Sequence, residues 1–150
     1  MEDTISQIHL QVTQWWRGKD AQGNIQPLSW ALTYKISGSD HRPMGTKYGV
    51  AGTIDTYAYE VDRSVPIRHE GWRGSLVVGR IAPDALEQLE RILSQIPVVR
   101  GDPSWNCHNW VWHGIRELRQ AGFIIDPNLT WQGLRDKMLE LLEAWERGDI

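Results

Sequence analysis

The hydrophobic period of this chain changes once, and the change sets its fold class. Up to Ile81 apolar residues recur at every second position; beyond it they recur at every third or fourth. Ile8, Leu10 and Val12 alternate with His9, Gln11 and Thr13, the pattern of a half-buried strand. Leu28, Trp30, Leu32, Tyr34 and Ile36 alternate in the same way with Ser29, Ala31, Thr33 and Lys35. The turn-forming cluster from Gly18 to Asn24 lies between them and predicts a hairpin. Shorter strands are expected at Lys47–Gly52, Ile54–Val61 and Ser75–Ile81. A break is expected at Ser37–Pro43 and a long connection at Asp62–Gly74.

Helical spacing takes over at Pro83, which suits a first helical turn. Leu86, Leu89, Leu93 and Ile96 follow until Pro97 stops the pattern. A second helix is expected from Cys107, with Trp110, Val111, Gly114, Ile115 and Leu118 as its apolar stripe. Asn106 or Ser104 can cap its start, and Gly122 its end. Phe123-Ile124-Ile125 reads as a short strand or an apolar anchor. The last helix starts near Thr130, puts Trp131, Leu134, Met138, Leu141, Leu142 and Trp145 on one face, and stops at Arg147-Gly148. Strands first and helices after predict one α+β domain over residues 1–150, with the C-terminal helices packed on one face of an antiparallel sheet.

Charge narrows the partners. A net charge of −3 supplies no field for nucleic acid or anionic lipid. No apolar run reaches the roughly 18 residues of a membrane span. The start, Met1-Glu2-Asp3-Thr4, lacks the apolar run of a secretory leader. One cysteine has no intrachain disulfide partner, which fits a reducing, cytoplasmic setting. Aromatic usage is skewed: nine Trp and four Tyr stand against one Phe. Trp at element ends suits the mouth of a small-molecule pocket, and equally a homo-oligomer interface.

That one cysteine, Cys107, falls where a helix should begin. Free N–H groups and the helix dipole favour a thiolate there, so Cys107 is a candidate nucleophile with a lowered pKa and an accessible thiol. The alternative is a small buried hydrophobe. Of the five His, His9 falls on a polar strand face, His41 in a turn and His113 on a solvent-facing helix side. His108 points about 100° away from Cys107 around the helix. His69, in the long connection, is the first choice as a base. His108 and His113 diverge by about 140°, so no metal is expected. There is no phosphate-binding glycine loop, and no cofactor is expected.

The segment Asn106-Cys107-His108-Asn109-Trp110-Val111 resembles the Asn-Cys-x-x-aromatic-Val signature of the lecithin:retinol acyltransferase-like proteins, circularly permuted relatives of NlpC-type peptidases. Strands before the Cys helix match the permuted order. The chain is also similar to small fungal proteins, often encoded beside secondary-metabolite enzymes, that carry a Trp-Asn-Cys-x-x-Trp-Val segment. The resemblance implies a permuted papain-like fold in which the Cys attacks a carbonyl and a strand His acts as base. This sequence departs from that pattern. Ser29-Trp30 stands where the family His is common, and no His lies near Tyr48-Gly49. A serine is no base at neutral pH without an activator. The resulting expectation is a cofactor-free enzyme acting on a small apolar or aromatic metabolite. Its reaction would be a cyclisation or rearrangement in a Trp-lined pocket. The pocket is expected between Cys107 and the second strand, lined by Trp30 and Trp105, with Ser29 and Tyr48 as polar contacts. The alternatives are a Cys107-dependent acyl transferase or hydrolase, and a non-catalytic binding protein that keeps the fold.

Overall fold

Two alternating segments form the centre of the sheet. In the computed structural model, which describes residues 7–150, β1 (Ile8–Trp15) and β2 (Ser29–Gly38) pair antiparallel, with Trp15 opposite Ser29 and Gln11 opposite Thr33. The acidic start Met1–Thr4 lies outside the described residues. β3 (Pro43–Ala51), β4 (Ala58–Pro66), β5 (Trp72–Ile81) and the short β6 (Ile124–Ile125) complete one antiparallel sheet in the order β4-β3-β2-β1-β5-β6.

Three sequence expectations shift here. The break at Ser37–Pro43 shrinks to residues 39–42. β4 starts at Ala58, and Ile54 lies in a turn held by Thr53 and Thr56. The long connection is mostly strand, so that only residues 67–71 separate β4 from β5. The misleading residues, Asp62, Arg63, Ser64 and Pro66, sit on an edge strand, where charge and proline are tolerated. Arg63 and Ser64 together oppose Thr46, which makes a bulge, and Ser64 takes a positive φ of 55°. The extra residue switches the strand between faces. Tyr59 and Val61 pack into the main core, while Val65 packs into a small second cluster of Trp15, Ala31 and Ile67.

The helices cover one face. A 3-10 turn at Pro83–Ala85 leads into α1 (Leu86–Leu93). This helix stops before Ile96, whose N–H bonds back to the Leu93 carbonyl and whose side chain stays buried. α2 (Cys107–Gln120) buries Trp110, Val111, Ile115 and Leu118 against Leu10, Leu32 and Tyr48. Asn106 and Asn109 form a capping box at its start. α3 (Trp131–Glu146) is capped by Thr130 and lies over β5. Gln14 locks it there. Its Nε2 donates to the carbonyls of Arg73 and Met138, and its Oε1 accepts from Trp30 Nε1. No helix among the described residues is long and apolar enough to cross a membrane.

Candidate functional site

Cys107 occupies the first turn of α2, as its sequence position implies. Asn106 is extended at φ −149° and accepts from the His108 N–H at 2.8 Å. Asn109 Oδ1 returns the bond to the Asn106 N–H at 2.8 Å. The cap sets the helix end against β2. There the Trp30 N–H donates to Cys107 Sγ at 3.4 Å, and the thiol faces the Leu28 carbonyl at 3.9 Å. The residue is only 2% exposed. Burial pushes the thiol pKa up, although the Trp30 N–H, Arg17 and the helix N–H groups pull the other way. The expected low-pKa, accessible thiol is therefore overturned by desolvation.

His108 turns back to the same carbonyl. Its Nε2 lies 2.7 Å from Leu28 O, and its ring stacks on the Trp30 indole at 3.8 Å and 17°. A carbonyl only accepts, so Nε2 carries the proton. Burial lowers the His108 pKa to about 4, leaving the imidazole neutral at neutral pH. The residue is thus a stacked, hydrogen-bonded wedge between α2 and the β1–β2 connection.

His69 does not reach the thiol. It lies nearly parallel to Trp15, with ring centroids 5.8 Å apart, and its Nδ1 accepts from the Gly71 N–H at 3.1 Å. Burial, then the Lys47 charge, lowers its pKa. Trp15 belongs to the second cluster, across the sheet from the core that holds Cys107. The sheet therefore separates His69 from Cys107.

The expected pocket forms only in part. Ser29, Trp30 and Cys107 do meet, in a cleft of about 150 Å³ shared with Arg17, Lys47 and Glu60. Burial and the neighbouring Asp62 raise the Glu60 pKa. Small-molecule sites usually measure about 300–1,000 Å³, so this cleft is undersized. Trp30 is a core residue at 4% exposure. Trp105 stands edge-on to Tyr57, 5.5 Å away, and is not part of the cleft wall. Tyr48 is directed elsewhere, its hydroxyl donating to Glu90 Oε1 on α1 at 3.1 Å.

A larger apolar groove opens on the other side of Leu28. It measures about 630 Å³ and is lined by Trp16, Ile25, Pro27, Leu28, Leu142 and Trp145, with Gln26, Arg73 and Glu146 as polar members. Trp16 and Trp145 remain 43% and 36% exposed. The Arg73 guanidinium lies 3.6 Å from the Trp145 ring centroid and fixes that indole. Sequence periodicity put Trp145 on the apolar face of the last helix; in the structure it reaches the rim of that face. The Trp15-Trp16 pair carried a usable signal. Adjacent strand residues face opposite sides, so one indole had to leave the side that the other packs on.

The sequence profile of a family of unknown function, DUF6914, matches residues 8–147. The chain belongs to the DUF6914 family. No curated protein and no solved structure matches it. The DUF6914 match starts at the first residue of β1 and runs past the end of α3. It takes in the whole sheet, the capped Cys107 and both lips of the groove.

Proposed function

We propose that this DUF6914 protein is a permuted papain-like chain whose thiol has joined the core, and that it holds a small apolar or aromatic molecule in the Trp16–Trp145 groove. One observation carries the reading: two part-exposed indoles face a largely apolar cavity of about 630 Å³. Aromatic walls with a few polar groups are the usual make-up of a small-molecule site. The antiparallel sheet and the Cys-bearing helix support the papain-like part of the proposal. Cys107-dependent acyl transfer has little support, since the thiol is buried and His108 is committed to Leu28. Turnover in such a groove would be confinement chemistry, a cyclisation or rearrangement of a conformer pressed between indoles, with no cofactor required.

Indole N–H resonances test the reading. The nine Trp give nine such signals, assignable by Trp→Phe replacement. Titration with planar aromatic compounds should shift the Trp16 and Trp145 signals and leave Trp30 and Trp110 in place. Trp145→Ala should weaken binding by about 1–3 kcal/mol. Shifts confined to Trp30, or none at all, would remove the groove from consideration. Concentration-dependent dimerisation that protects Trp16 and Trp145 would assign the groove to a second copy of the chain. Metabolite profiles of host cells with and without the gene separate binding from turnover, since only turnover replaces one compound by an isomer.

A further inference from the structure

Arg73 is held in the wall of the Trp16–Trp145 groove in a way that leaves one edge of its guanidinium unused. Its Nη1 donates to the Glu70 carbonyl at 3.1 Å and to the Trp72 carbonyl at 3.0 Å, which commits both Nη1 hydrogens. The Arg73 carbonyl accepts from Gln14 Nε2 at 3.0 Å, and the guanidinium lies on the Trp145 indole, so backbone and side chain are both fixed. The loop that supplies the Glu70 carbonyl also holds Trp16, whose N–H donates to Gly71 O at 2.8 Å. Arg73 Nε and Nη2 bond to nothing among the described residues, and neither is a buried atom. No carboxylate among the described residues forms an ion pair with Arg73. A half-buried guanidinium in a largely apolar groove, with an accessible edge and no anion beside it, lacks an acceptor.

The shape of the unused edge selects the acceptor. The Nε–H bond of a guanidinium runs parallel to one Nη2–H bond, and that fork matches the two oxygens of a carboxylate. The other charged member of the groove, Glu146, has no comparable hold. It is exposed, it is the last residue of α3, and its carboxylate makes no ion pair or hydrogen bond among the described residues. Glu146 is therefore free to turn to solvent, whereas Arg73 is pinned at the wall. The indoles of Trp16 and Trp145 supply flat apolar surface in the same groove. We propose, resting on the groove as the ligand site, that its ligand is an aromatic carboxylate. The ring packs against an indole, and the two oxygens accept from Arg73 Nε and Nη2.

A naphthalene series that differs only in charge tests this: the naphthoate, the naphthamide and the naphthylmethylammonium, titrated against the full chain with indole N–H signals as the readout. The naphthoate should shift Trp16 and Trp145 and bind about tenfold more tightly than the naphthamide, with the ammonium weakest. Arg73→Gln should abolish the preference for the carboxylate. Arg73→Lys keeps the charge without the fork and should lose most of it. Each variant is read by the ratio of the two affinities, which a general loosening of the groove does not imitate, and its Trp30 and Trp110 signals report folding. Glu146→Gln should keep or raise the preference, since it removes a like charge. Equal binding of naphthoate and naphthamide, with shifts at Trp16 and Trp145, would overturn the carboxylate and leave the groove standing. A preference that survives Arg73→Gln would also overturn it, as would a preference for the ammonium that Glu146→Gln removes. Shifts from none of the three probes would remove the groove and the carboxylate together.

Discussion

At Cys107 two opposing effects act on one atom, and their sizes decide its chemistry. A helix N-terminus stabilises a negative charge by about 0.3–1 kcal/mol, and by up to about 2 where partly buried. Full burial can shift a pKa by about 3–5 units against the charged form. With the residue 2% exposed and the Trp30 N–H as its main donor, desolvation wins. Iodoacetamide should therefore leave the native thiol largely unmodified at neutral pH and label it fully in urea. The alkylation midpoint should lie above about 8.5, the value of a free thiol. Rapid labelling of the native protein at pH 7 would restore an activated nucleophile. His108 gives a second residue-scale test. Its pKa falls from 6.5 to about 4 on folding, so the unfolded chain binds more protons between those values. Stability is then full above about pH 6.5 and is lost as pH falls toward 4, by about 3 kcal/mol in all. His69, also lowered, adds to the loss in the same direction. Denaturant titrations across pH 4–7 should show this slope, and His108→Gln should flatten most of it. A slope unchanged in the variant would place the titrating group elsewhere. The sequence put Cys107 at a helix start correctly. Its depth was legible only as the alternative reading, through helical spacing to Trp110 and Val111; what closes over the thiol, Trp30 and Leu28, is remote in the chain.

Elements were legible where the apolar period was unbroken. β1, β2, α2 and α3 follow directly from alternation or helical spacing, and the Asn106 and Thr130 caps fall where the residue types predict. β4 was not legible, since a bulge interrupts its period and its exposed edge admits Asp62, Arg63 and Pro66. Both kinds of feature carry measurable energy. Asn106→Ala removes the acceptor of the His108 N–H and one half of a reciprocal cap. It should cost about 1–2 kcal/mol, read as a lower urea midpoint with an unchanged slope. No change would mean that water replaces the cap without loss. Gly74 tests the seat of α3. Its φ is +129°, and an added Cβ would stand 2.8 Å from Leu141 Cβ. Gly74→Ala combines backbone strain with overpacking and should cost about 2–5 kcal/mol. It should also move the Trp145 indole resonance, because Leu141 and Trp145 share α3. A stable variant with an unmoved Trp145 signal would show that α3 is not seated through this contact.

Across the whole molecule, the sheet edges and the tryptophans divide the labour. β4 carries charge, a proline and a bulge, which blunt that edge against pairing with another chain, while at the other edge β6 pairs with only Gly79 and Arg80 of β5. The groove lies at the ends of the layers, where the β1–β2 connection meets the end of α3. Trp30 and Trp145 both lie on apolar stripes in the sequence and are indistinguishable there. Tertiary position separates them. Trp30 is 4% exposed, bonded to Gln14 and stacked on His108; Trp145 is 36% exposed and faces the groove. Trp30→Ala should cost about 3–5 kcal/mol of stability, the usual range for a core aromatic. What still folds should bind an aromatic probe about as well as before. Trp145→Ala should cost only about 1 kcal/mol, since it loses a cation–π contact and part-exposed area. Its affinity for the same probe should fall by tenfold or more, about 1.4 kcal/mol. Melting temperature and probe affinity, measured on both variants, give a crossed pattern if the groove is the binding site. Parallel losses in the two variants would mean that the two indoles belong to one continuous core and that ligand binding reports only on folding.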